Sequence, residues 1–432
     1  MRSSFAVALL LSIPTALQVS GANPVNALKD VSARSSGRLM HILVAVQASF
    51  CFVVLFVGTL FVTTFERLSK QPTGFSSDGI LTLETLTPTP VKAVFWEQVA
   101  ARLRTLPGVD AVALSEWPLM TGENWSNLIS VNGAPPNRME CHLLSTSPDW
   151  RKVMRIPLLA GRDFRDGDGL PGSGSTGSTF TGSTFIGSAL VNDNFAKEYF
   201  GGADPVGKSF DVVVFGGTHM PFRVVGRVAD ARYRDMRGPM APVAYLPFTA
   251  DYKRATFIVH TVSRNPLTLA NSLRQEISRS RSDFHVGTVR TQNELIESHT
   301  VRERLLAMLA LFFGSVALLL AGIGLYGLLD YSVLQRRREI GIRMALGAEP
   351  GGIAIRITGT AFTLVLLGGF VGFARGLAVV KNVESLLYGI KPTDISMLTI
   401  PGVVILLAAF LASTPAAVRA ARVDPATILR SE

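Results

Sequence analysis

Residues 305–329 read LLAMLALFFGSVALLLAGIGLYGLL, and RRREIGIRMALG follows at 336–347. The first stretch has no charged residue, and roughly 20 apolar residues in a helix match the thickness of the hydrocarbon core of a bilayer. The arginines behind it are expected to stay in the cytoplasm, because basic clusters resist transfer across the membrane. A short amphipathic segment comes next, and the chain then turns apolar again. These residues predict a membrane protein with an ordered basic turn between two spans.

Three further apolar runs, at 39–62, 357–380 and 398–418, are also long enough to cross a membrane. Three of the span flanks are basic, whereas the charges of the loop at 381–396 cancel. The basic flanking residues are Lys29, Arg34, Arg38, Arg336, Arg337, Arg338, Arg343, Arg356, Arg419, Arg422 and Arg430. The positive-inside rule therefore predicts that both chain ends and the arginine turn are cytoplasmic and that the region between the first two spans lies outside.

The predicted fold class is a membrane protein with four transmembrane α-helices and a large α+β extracytoplasmic domain. The predicted segments are a cytoplasmic lead at 1–38, spans at 39–64, 301–335, 357–380 and 397–419, an outer domain at 65–300, a coupling segment at 336–356, an outer loop at 381–396 and a cytoplasmic tail at 420–432. Residues 65–66 and 301–304 are expected to continue the first two spans outward as helical stalks.

The composition agrees with a membrane protein and argues against nucleic-acid binding. Apolar residues make up 48% of the chain and charged residues 17%, where a soluble protein has about a quarter charged. The net charge is +10, but many basic residues flank apolar runs instead of interleaving with aromatic residues on a folded domain. Cys51 lies in a predicted span and Cys141 in the outer domain, so a disulfide between them is not expected. No Cys/His spacing indicates a zinc site.

The amino terminus allows two interpretations. Arg2, the apolar residues 5–11 and small residues near 20–22 are typical of a secretory signal peptide. A comparison of the chain with itself favours the second interpretation, because SIPTA at 12–16 aligns with STPAA at 413–417, and NPVNALK at 23–29 with DPATILR at 424–430. The lead then looks like the end of an earlier copy of the fourth span, and the chain like the second half of a duplicated protein.

The outer region has the alternating and helical patterns of an α+β domain. Strands are predicted at 79–86, 111–114, 222–228, 243–247 and 256–261, and helices at 91–106 and 267–277. Thr291 and Glu294 fit a capping box that opens a helix running into the second span. Residues 167–188 are rich in Gly, Ser and Thr, which predicts a flexible surface loop and not a phosphate cradle, since the loop has no lysine.

GADPVGKS at 202–209 matches the letters of a P-loop but not its expected context. A P-loop follows a strand and opens a helix, whereas here residues 192–200 are predicted helical and 210–214 extended. Pro205 also removes one backbone N–H from the loop. We therefore predict a helix–turn–strand connection and no ATPase activity in this chain.

The sequence resembles the MacB-like family of ABC transporter permeases, which includes cell-division (FtsX-type) and lipoprotein-releasing members. The resemblance is strongest in REIGIRMALGA at 338–348, SLLYGIKPTD at 385–394 and PAAVRAARVDP at 415–425. LAGRDF at 159–164, VNDNFA at 191–196 and VGRVAD at 225–230 are similar to its periplasmic core domain. The internal similarity of the two chain ends further resembles the duplicated permeases common in acidobacteria.

The resemblance implies a mechanism in which a separate ATPase subunit in the cytoplasm binds ATP and pushes the coupling segment. Long first and second spans would transmit that motion to the outer domain. Carried over position by position, the ATPase contact residues are Glu339, Ile340, Arg343, Met344, Leu346 and Gly347. Arg336, Arg337 and Arg338 are topology anchors, with direct ATPase contact left open. The apolar residues of the segment could instead lie on the membrane surface, as in an interfacial helix.

Two features of the third span allow both a structural and a functional interpretation. Gly368, Gly372 and Gly376 place small residues four apart, which suits close helix packing either within one subunit or between two. Arg375 is a candidate functional residue by its position in an apolar run, but its closeness to Lys381 favours a side chain that extends to the outer interface.

The sequence thus predicts a multi-pass inner-membrane permease subunit of an ABC-type efflux or extraction complex, which works by mechanotransmission. Its expected partners are a cytoplasmic ATPase, a second permease half (a second copy or a missing first half) and membrane lipids. No catalytic residue, metal or cofactor is assigned to this chain, because ATP would be bound by the separate subunit. The alternative is a membrane scaffold or signal transducer that regulates an extracytoplasmic partner without transport.

Overall fold

The computed structural model describes residues 31–165, 168, 187–214, 217–335, 337–346, 349–383, 386–390 and 394–421. The described α-helices are α1 (Val31–Ser69), α2 (Ala93–Leu103), α3 (Trp150–Val153), α4 (Asp193–Phe200), α5 (Ala270–Ser280), α6 (Gln292–Ser298), α7 (Val301–Gln335), α8 (Arg337–Ala345), α9 (Pro350–Val383) and α10 (Ile395–Ala421). The strands are β1 (Ile80–Lys92), β2 (Val109–Ser115), β3 (Ser126–Val131), β4 (Glu140–Thr146), β5 (Leu158–Gly161), β6 (Gly187–Asn192), β7 (Ser209–Val214), β8 (Thr218–Val228), β9 (Val243–Pro247), β10 (Asp251–Thr261) and β11 (His285–Thr291). The chain divides into two compact units, a head formed by Glu66–Arg302 and a helical unit formed by the chain on either side of it.

The predicted spans are confirmed as helices. Within the described residues, four helical stretches are long and apolar enough to cross a membrane: Met40–Ser69, Val301–Gln335, Thr358–Val380 and Ser396–Arg419. Their most apolar windows have a mean hydropathy between 1.9 and 2.5. α1 continues to Ser69 and α7 already begins at Val301, so both extend beyond their apolar runs, as expected of stalks.

In the helical unit, α1 and α7 pack side by side in opposite directions. A Cβ atom added to Gly58 would lie 3.5 Å from the Cβ of Ala310, and one added to Gly324 would lie 2.5 Å from Oε1 of Gln47. Residue numbers thus rise along one helix as they fall along the other. Gly58 lets the two backbones approach closely, and Gly324 leaves room for the Gln47 side chain, so both glycines strengthen van der Waals contact between the spans.

The small residues of the third span serve packing within the chain. Gly368 and Gly372 of α9 face α1, where an added Cβ would lie 2.5 Å from the carbonyl oxygen of Ala45 and 2.7 Å from that of Ser49. Arg375 is exposed on the same helix. Its predicted extension to the membrane interface stays a prediction.

Four strands of the head form an antiparallel sheet in the order β11–β1–β10–β2. Its residues alternate, so that one face is apolar and packs against α2 and α5. At the centre of this core, the ring of Trp96 lies 4.2 Å from that of Phe284 and 5.8 Å from that of Phe257, measured between centroids. β11 returns next to β1, so the strand through which the chain enters the sheet and the strand through which it leaves are neighbours.

Six of the remaining strands of the head close into a ring, and the seventh, β5, pairs with β8. β4 pairs with β3, and the pairing continues through β7, β8, β6 and β9 back to β4, with β4–β9 and β6–β8 parallel. Phe195 of α4, Phe210 and Phe222 are buried in its core. A single residue pair, Ser115 with Thr146, connects the ring to the four-stranded sheet.

Two expectations about helix ends need correction. The helix predicted from Val91 begins at Ala93, because β1 continues to Lys92. The capping box of Thr291 and Glu294 is confirmed, but its helix ends at Ser298 and does not run into α7. Backbone bonds of the tighter i to i+3 type close it, from His299 to Ile296 (3.1 Å) and from Thr300 to Glu297 (2.9 Å).

The predicted loop at 167–188 lies outside the described residues except for Asp168, Gly187 and Ser188, of which the last two belong to β6 and not to a loop. Residues 1–30 of the predicted lead (1–38) and residues 422–432 of the predicted tail (420–432) also lie outside the described residues, whereas 31–38 belong to α1 and 420–421 to α10.

Candidate functional site

The candidate coupling segment contains a short helix, α8, between α7 and α9. Glu339, Ile342, Arg343 and Leu346 are exposed and follow the spacing i, i+3, i+4, i+7, which places them on one helix face. Leu346 is 83% exposed and Ile342 is 45% exposed. The helical hydrogen bonding continues to this point, since the N–H of Leu346 donates to the carbonyl oxygen of Ile342 at 3.1 Å.

A salt bridge organises the polar part of this face. Nη2 of Arg343 lies 2.5 Å from Oε1 of Glu339, and both side chains are about half exposed. Such an exposed i, i+4 pair contributes only about 0.3–0.5 kcal/mol to helix stability. The pair therefore presents a fixed pattern of charge next to two apolar side chains and is not a major source of stability.

The other predicted contact residues divide into two groups. Ile340 is buried, with 6% of its surface exposed, and Met344 is half-buried, so both face the interior of the helical unit. Arg336 and Gly347 lie outside the described residues, and Arg337 and Arg338 are described only as members of α8. Sequence analysis missed Ile342, although the i, i+3, i+4, i+7 spacing from Glu339 to Leu346 would have indicated it.

A second ion pair joins α7, the helix that precedes α8 in the chain, to α10. Nη1 of Arg419 on α10 lies 2.5 Å from Oδ1 of Asp330 on α7, and its guanidinium lies 5.7 Å from the centroid of the Tyr326 ring. The cation–π contact and the hydrogen-bonded ion pair together connect the last turns of α7 and α10. The sequence marked Arg419 only as a basic flank, since a pairing across 89 positions has no local signal.

The P-loop-like turn lacks the free amides that bind phosphate. The turn lies between α4 and β7, which confirms the predicted helix–turn–strand order. The N–H of Gly207 donates to Val224 at 2.8 Å, and that of Lys208 donates to Pro205 at 3.0 Å. Since these N–H groups are already engaged within the chain, they cannot wrap a phosphate.

The titratable groups of the head include a buried thiol and a charged cluster. Cys141 is fully buried, and burial raises the pKa of its thiol, so the reactive thiolate is disfavoured. Among the described residues, no group of three or more His, Cys, Asp and Glu side chains is placed to hold a metal ion. A cavity of about 210 Å³ contains a charged cluster, in which Arg254 lies 3.4 Å from Glu84 and 3.0 Å from Glu123.

A large α+β domain inserted after the first of four membrane-type helices, with a short helix between the second and third, defines a permease-type membrane subunit. Two family models match this chain: the MacB-like periplasmic core domain over residues 46–279 and the FtsX-like permease C-terminal region over residues 311–425. The chain belongs to the MacB-like family of ABC transporter permeases. It is therefore a membrane protein with an extracytoplasmic domain of the MacB type.

Curated relatives carry the names of export proteins. The chain is 27% identical over 240 residues to the macrolide export ATP-binding/permease protein MacB of Azoarcus sp. (strain BH72), covering 54% of this chain and 36% of that one. It is 24% identical over 369 residues to the MacB protein of Chromobacterium violaceum, covering 82% and 52%. With the pyoverdine export protein PvdT of Pseudomonas aeruginosa, it shares 27% identity over 203 residues, 42% of this chain and 28% of that one. The chain thus spans between about a quarter and a half of the length of these relatives.

Two solved structures are also similar. One is the periplasmic region of MacB from Actinobacillus actinomycetemcomitans, with a TM-score of 0.34 and 14% identity, covering 54% of this chain and 97% of that one. The other is the extracellular domain of the transporter YknZ from Gram-positive bacteria, with a TM-score of 0.31 and 18% identity, covering 48% and 100%.

Proposed function

We propose that this chain is the permease subunit of an ABC-type efflux or extraction complex in the inner membrane. A cytoplasmic ATPase supplied by another chain binds α8, and the paired helices α1 and α7 carry the resulting movement to the head. Membership of the MacB-like family supports this proposal, and so do the names of the curated relatives, which couple ATP binding to export. The observation that carries it is the exposed face of α8, where two apolar side chains lie next to a paired Glu and Arg.

The contact surface for the ATPase consists of Glu339, Ile342, Arg343 and Leu346. Exposed apolar residues surrounded by charged ones are typical of protein interaction sites. Ile340 and Met344 hold α8 against the helical unit, because a helix that transmits force must be attached on its inner face. Arg336, Arg337 and Arg338 fix the cytoplasmic side of the segment.

The complex requires a second permease half, either a second copy of this chain or a related one. α7 carries a continuous set of exposed apolar residues along the membrane, among them Leu309, Phe312, Leu319 and Ile323. Lipid or the second half covers this surface, since water would be an unfavourable neighbour for it.

Co-purification tests the contact surface. Leu346→Ser removes an almost fully exposed side chain that the ATPase would bury, and we expect at least a tenfold loss of ATPase recovered with the permease. Val262→Ser is the matched control, because Val262 is also apolar and 77% exposed but belongs to the head, outside the coupling segment. Full recovery of the ATPase with Leu346→Ser would contradict the assignment.

The same preparation separates transport from the scaffold alternative. A transport subunit is expected to stimulate ATP hydrolysis by its partner when candidate drugs, peptides or lipopeptides are added, and the stimulation should be lost with Leu346→Ser. An ATPase activity that responds to an extracytoplasmic protein partner but to none of these small molecules would favour the scaffold.

A further inference from the structure

Two buried loops of the head form hydrogen bonds both to the segment that follows α1 and to the segment that precedes α7. Residues 117–120 follow β2, and residues 231–233 follow β8; we call these two loops together the bracket. The backbone N–H of Met120 donates to the carbonyl oxygen of Tyr233 at 2.9 Å, and the indole N–H of Trp117 donates to the Tyr233 hydroxyl at 3.1 Å. The bracket is thus one hydrogen-bonded unit, although its two loops are more than a hundred residues apart in the sequence.

The bracket binds the segment that follows α1. The N–H of Arg232 donates to the carbonyl oxygen of Thr73 at 2.8 Å. Gly74 adopts a left-handed conformation (φ +81°), and an added Cβ would lie 2.1 Å from the carbonyl oxygen of Asp230 and 2.9 Å from Cα of Ala231. Since only glycine tolerates both this φ and this proximity, the contact is built into the sequence at Gly74.

The bracket also binds α6, the short helix that precedes α7 in the chain. Nε2 of His299 donates to the carbonyl oxygen of Met120 at 2.8 Å, and Nε2 of Gln292 donates to that of Leu119 at 2.9 Å. Met120 is fully buried and has φ +67°, an unfavourable conformation for a side chain with a Cβ. This conformation presents two consecutive carbonyl groups to α6, and strained residues of this kind persist where the surrounding contacts hold them.

A third connection leads from the bracket into the ring. The hydroxyl of Tyr233 donates to the carbonyl oxygen of Leu143, a residue of β4, at 2.8 Å. A continuous path therefore runs from Thr73 through Arg232 and Tyr233 to Met120 and His299, with a branch to the ring. The β1–β11 pairing holds these two strands together. Among the contacts named above, only those of the bracket reach both the segment that precedes β1 and the helix α6 that follows β11.

We propose that the bracket is the device by which the head senses the relative movement of its two stalks, with His299 and Gln292 as positioning residues. This proposal rests on the proposed function, since it assigns a route to the transmitted movement. A displacement of α6 pulls on Leu119 and Met120, and it reaches the segment at Thr73 and the ring strand at Leu143 through hydrogen bonds that are buried from water. Buried hydrogen bonds are suited to this task, because breaking one without replacement leaves a polar group unpaired and away from water.

Spin labels measure the effect of the bracket on the full chain in lipid nanodiscs. Lys70→Cys and Arg302→Cys provide exposed attachment sites on the two segments. We expect a narrow distance distribution in the parent protein and a distribution at least twice as broad in Gln292→Met/His299→Ala. The single variant His299→Gln keeps Gln292 and retains a donor near the position of Nε2. Its distance distribution should therefore stay narrow. Ser298→Ala is the matched control, because its lost hydrogen bond goes to Leu295 within α6 itself.

The second readout is the response of the partner ATPase to added substrate. The double variant should retain ATPase binding and lose most of the stimulation, because α8 is unchanged and only the route to the head is interrupted. An unchanged distance distribution in the double variant overturns the proposal, and so does a broadened distribution with full stimulation. If no ATPase binds the parent protein, the proposed function fails, while the distance measurement still decides whether the bracket holds the two segments.

Discussion

Folding changes the pKa of Glu116, a carboxyl group in the head. Burial raises the pKa of its carboxyl group from 4.5 to about 7, against the opposing effects of Arg254 and a hydrogen bond from Ser145. The folded protein therefore keeps the Glu116 proton up to about pH 7, whereas the unfolded chain loses it near pH 4.5. The stabilisation from this group is complete below pH 4.5 and is lost as the pH rises to about 7.

Glu116→Gln should remove this part of the pH dependence. We expect the free energy of unfolding of the head to decrease between pH 4.5 and 7 in the parent. In the variant this decrease should be smaller by on the order of 3 kcal/mol. The four tryptophans, Trp96, Trp117, Trp125 and Trp150, all lie in the head, so that intrinsic fluorescence follows this unit alone. Equal slopes of stability against pH in the two proteins would show that Glu116 does not titrate in this range.

At the same scale, the sequence predicted the position of α8 better than the burial of its individual residues. The arginines and the REIGIRMALG motif locate α8, because charge and motif are local features. Ile342 was missed, and Ile340 proved to be buried, since the face that a short helix turns outward depends on the helices next to it. The partnership of Arg419 with Asp330 was invisible for the same reason.

Among the elements, α9 depends most directly on residue size. Gly372 faces α1, and an added Cβ would lie 2.7 Å from the Ser49 carbonyl oxygen and 2.8 Å from Cβ of Phe52. Gly372→Ala must separate the two helices by some tenths of an ångström or more, which weakens their packing. Gly359→Ala on the same helix is the matched control, because nothing lies within 4 Å of its added Cβ.

Thiol labelling measures this difference. Cys51 is completely buried in the core formed by α1 and its neighbours, so it reacts with a maleimide dye only when the helical unit opens. In a Cys141→Ala background, we expect Gly372→Ala to lower the temperature of Cys51 labelling by several degrees, for a loss of roughly 1–3 kcal/mol. Gly359→Ala should leave it unchanged or raise it. Equal midpoints for the two variants would contradict the close α1–α9 contact.

The elements that the sequence predicted correctly are those with a local cause. The spans follow from run length, the Thr291 capping box from its two residues, and the helix–turn–strand order at 193–214 from its periodicity. The end of α6 at Ser298 was not predicted, because it coincides with a contact from His299 to Met120, which is 179 positions away.

For the whole molecule, the division into a helical unit and a head was predictable, whereas the architecture of the head was not. Each span must present apolar side chains to the lipid and pair its own backbone hydrogen bonds. The sequence pattern that indicates a span is therefore complete within about 20 residues. The closed ring depends on pairings such as β4 with β9 and β6 with β8, in which strands distant in the chain meet. Alternation within each strand indicates that it has a buried face but not which strand it joins.

We predict that the head and α8 lie on opposite sides of the membrane. Labelling by a membrane-impermeant maleimide tests this directly in intact cells, against a low background because Cys51 and Cys141 are buried. Arg138→Cys, on an exposed loop of the head, should react once the reagent reaches the outer face of the inner membrane, whereas Leu346→Cys should react only after that membrane is permeabilised. Reaction of both cysteines from the same side would contradict the account.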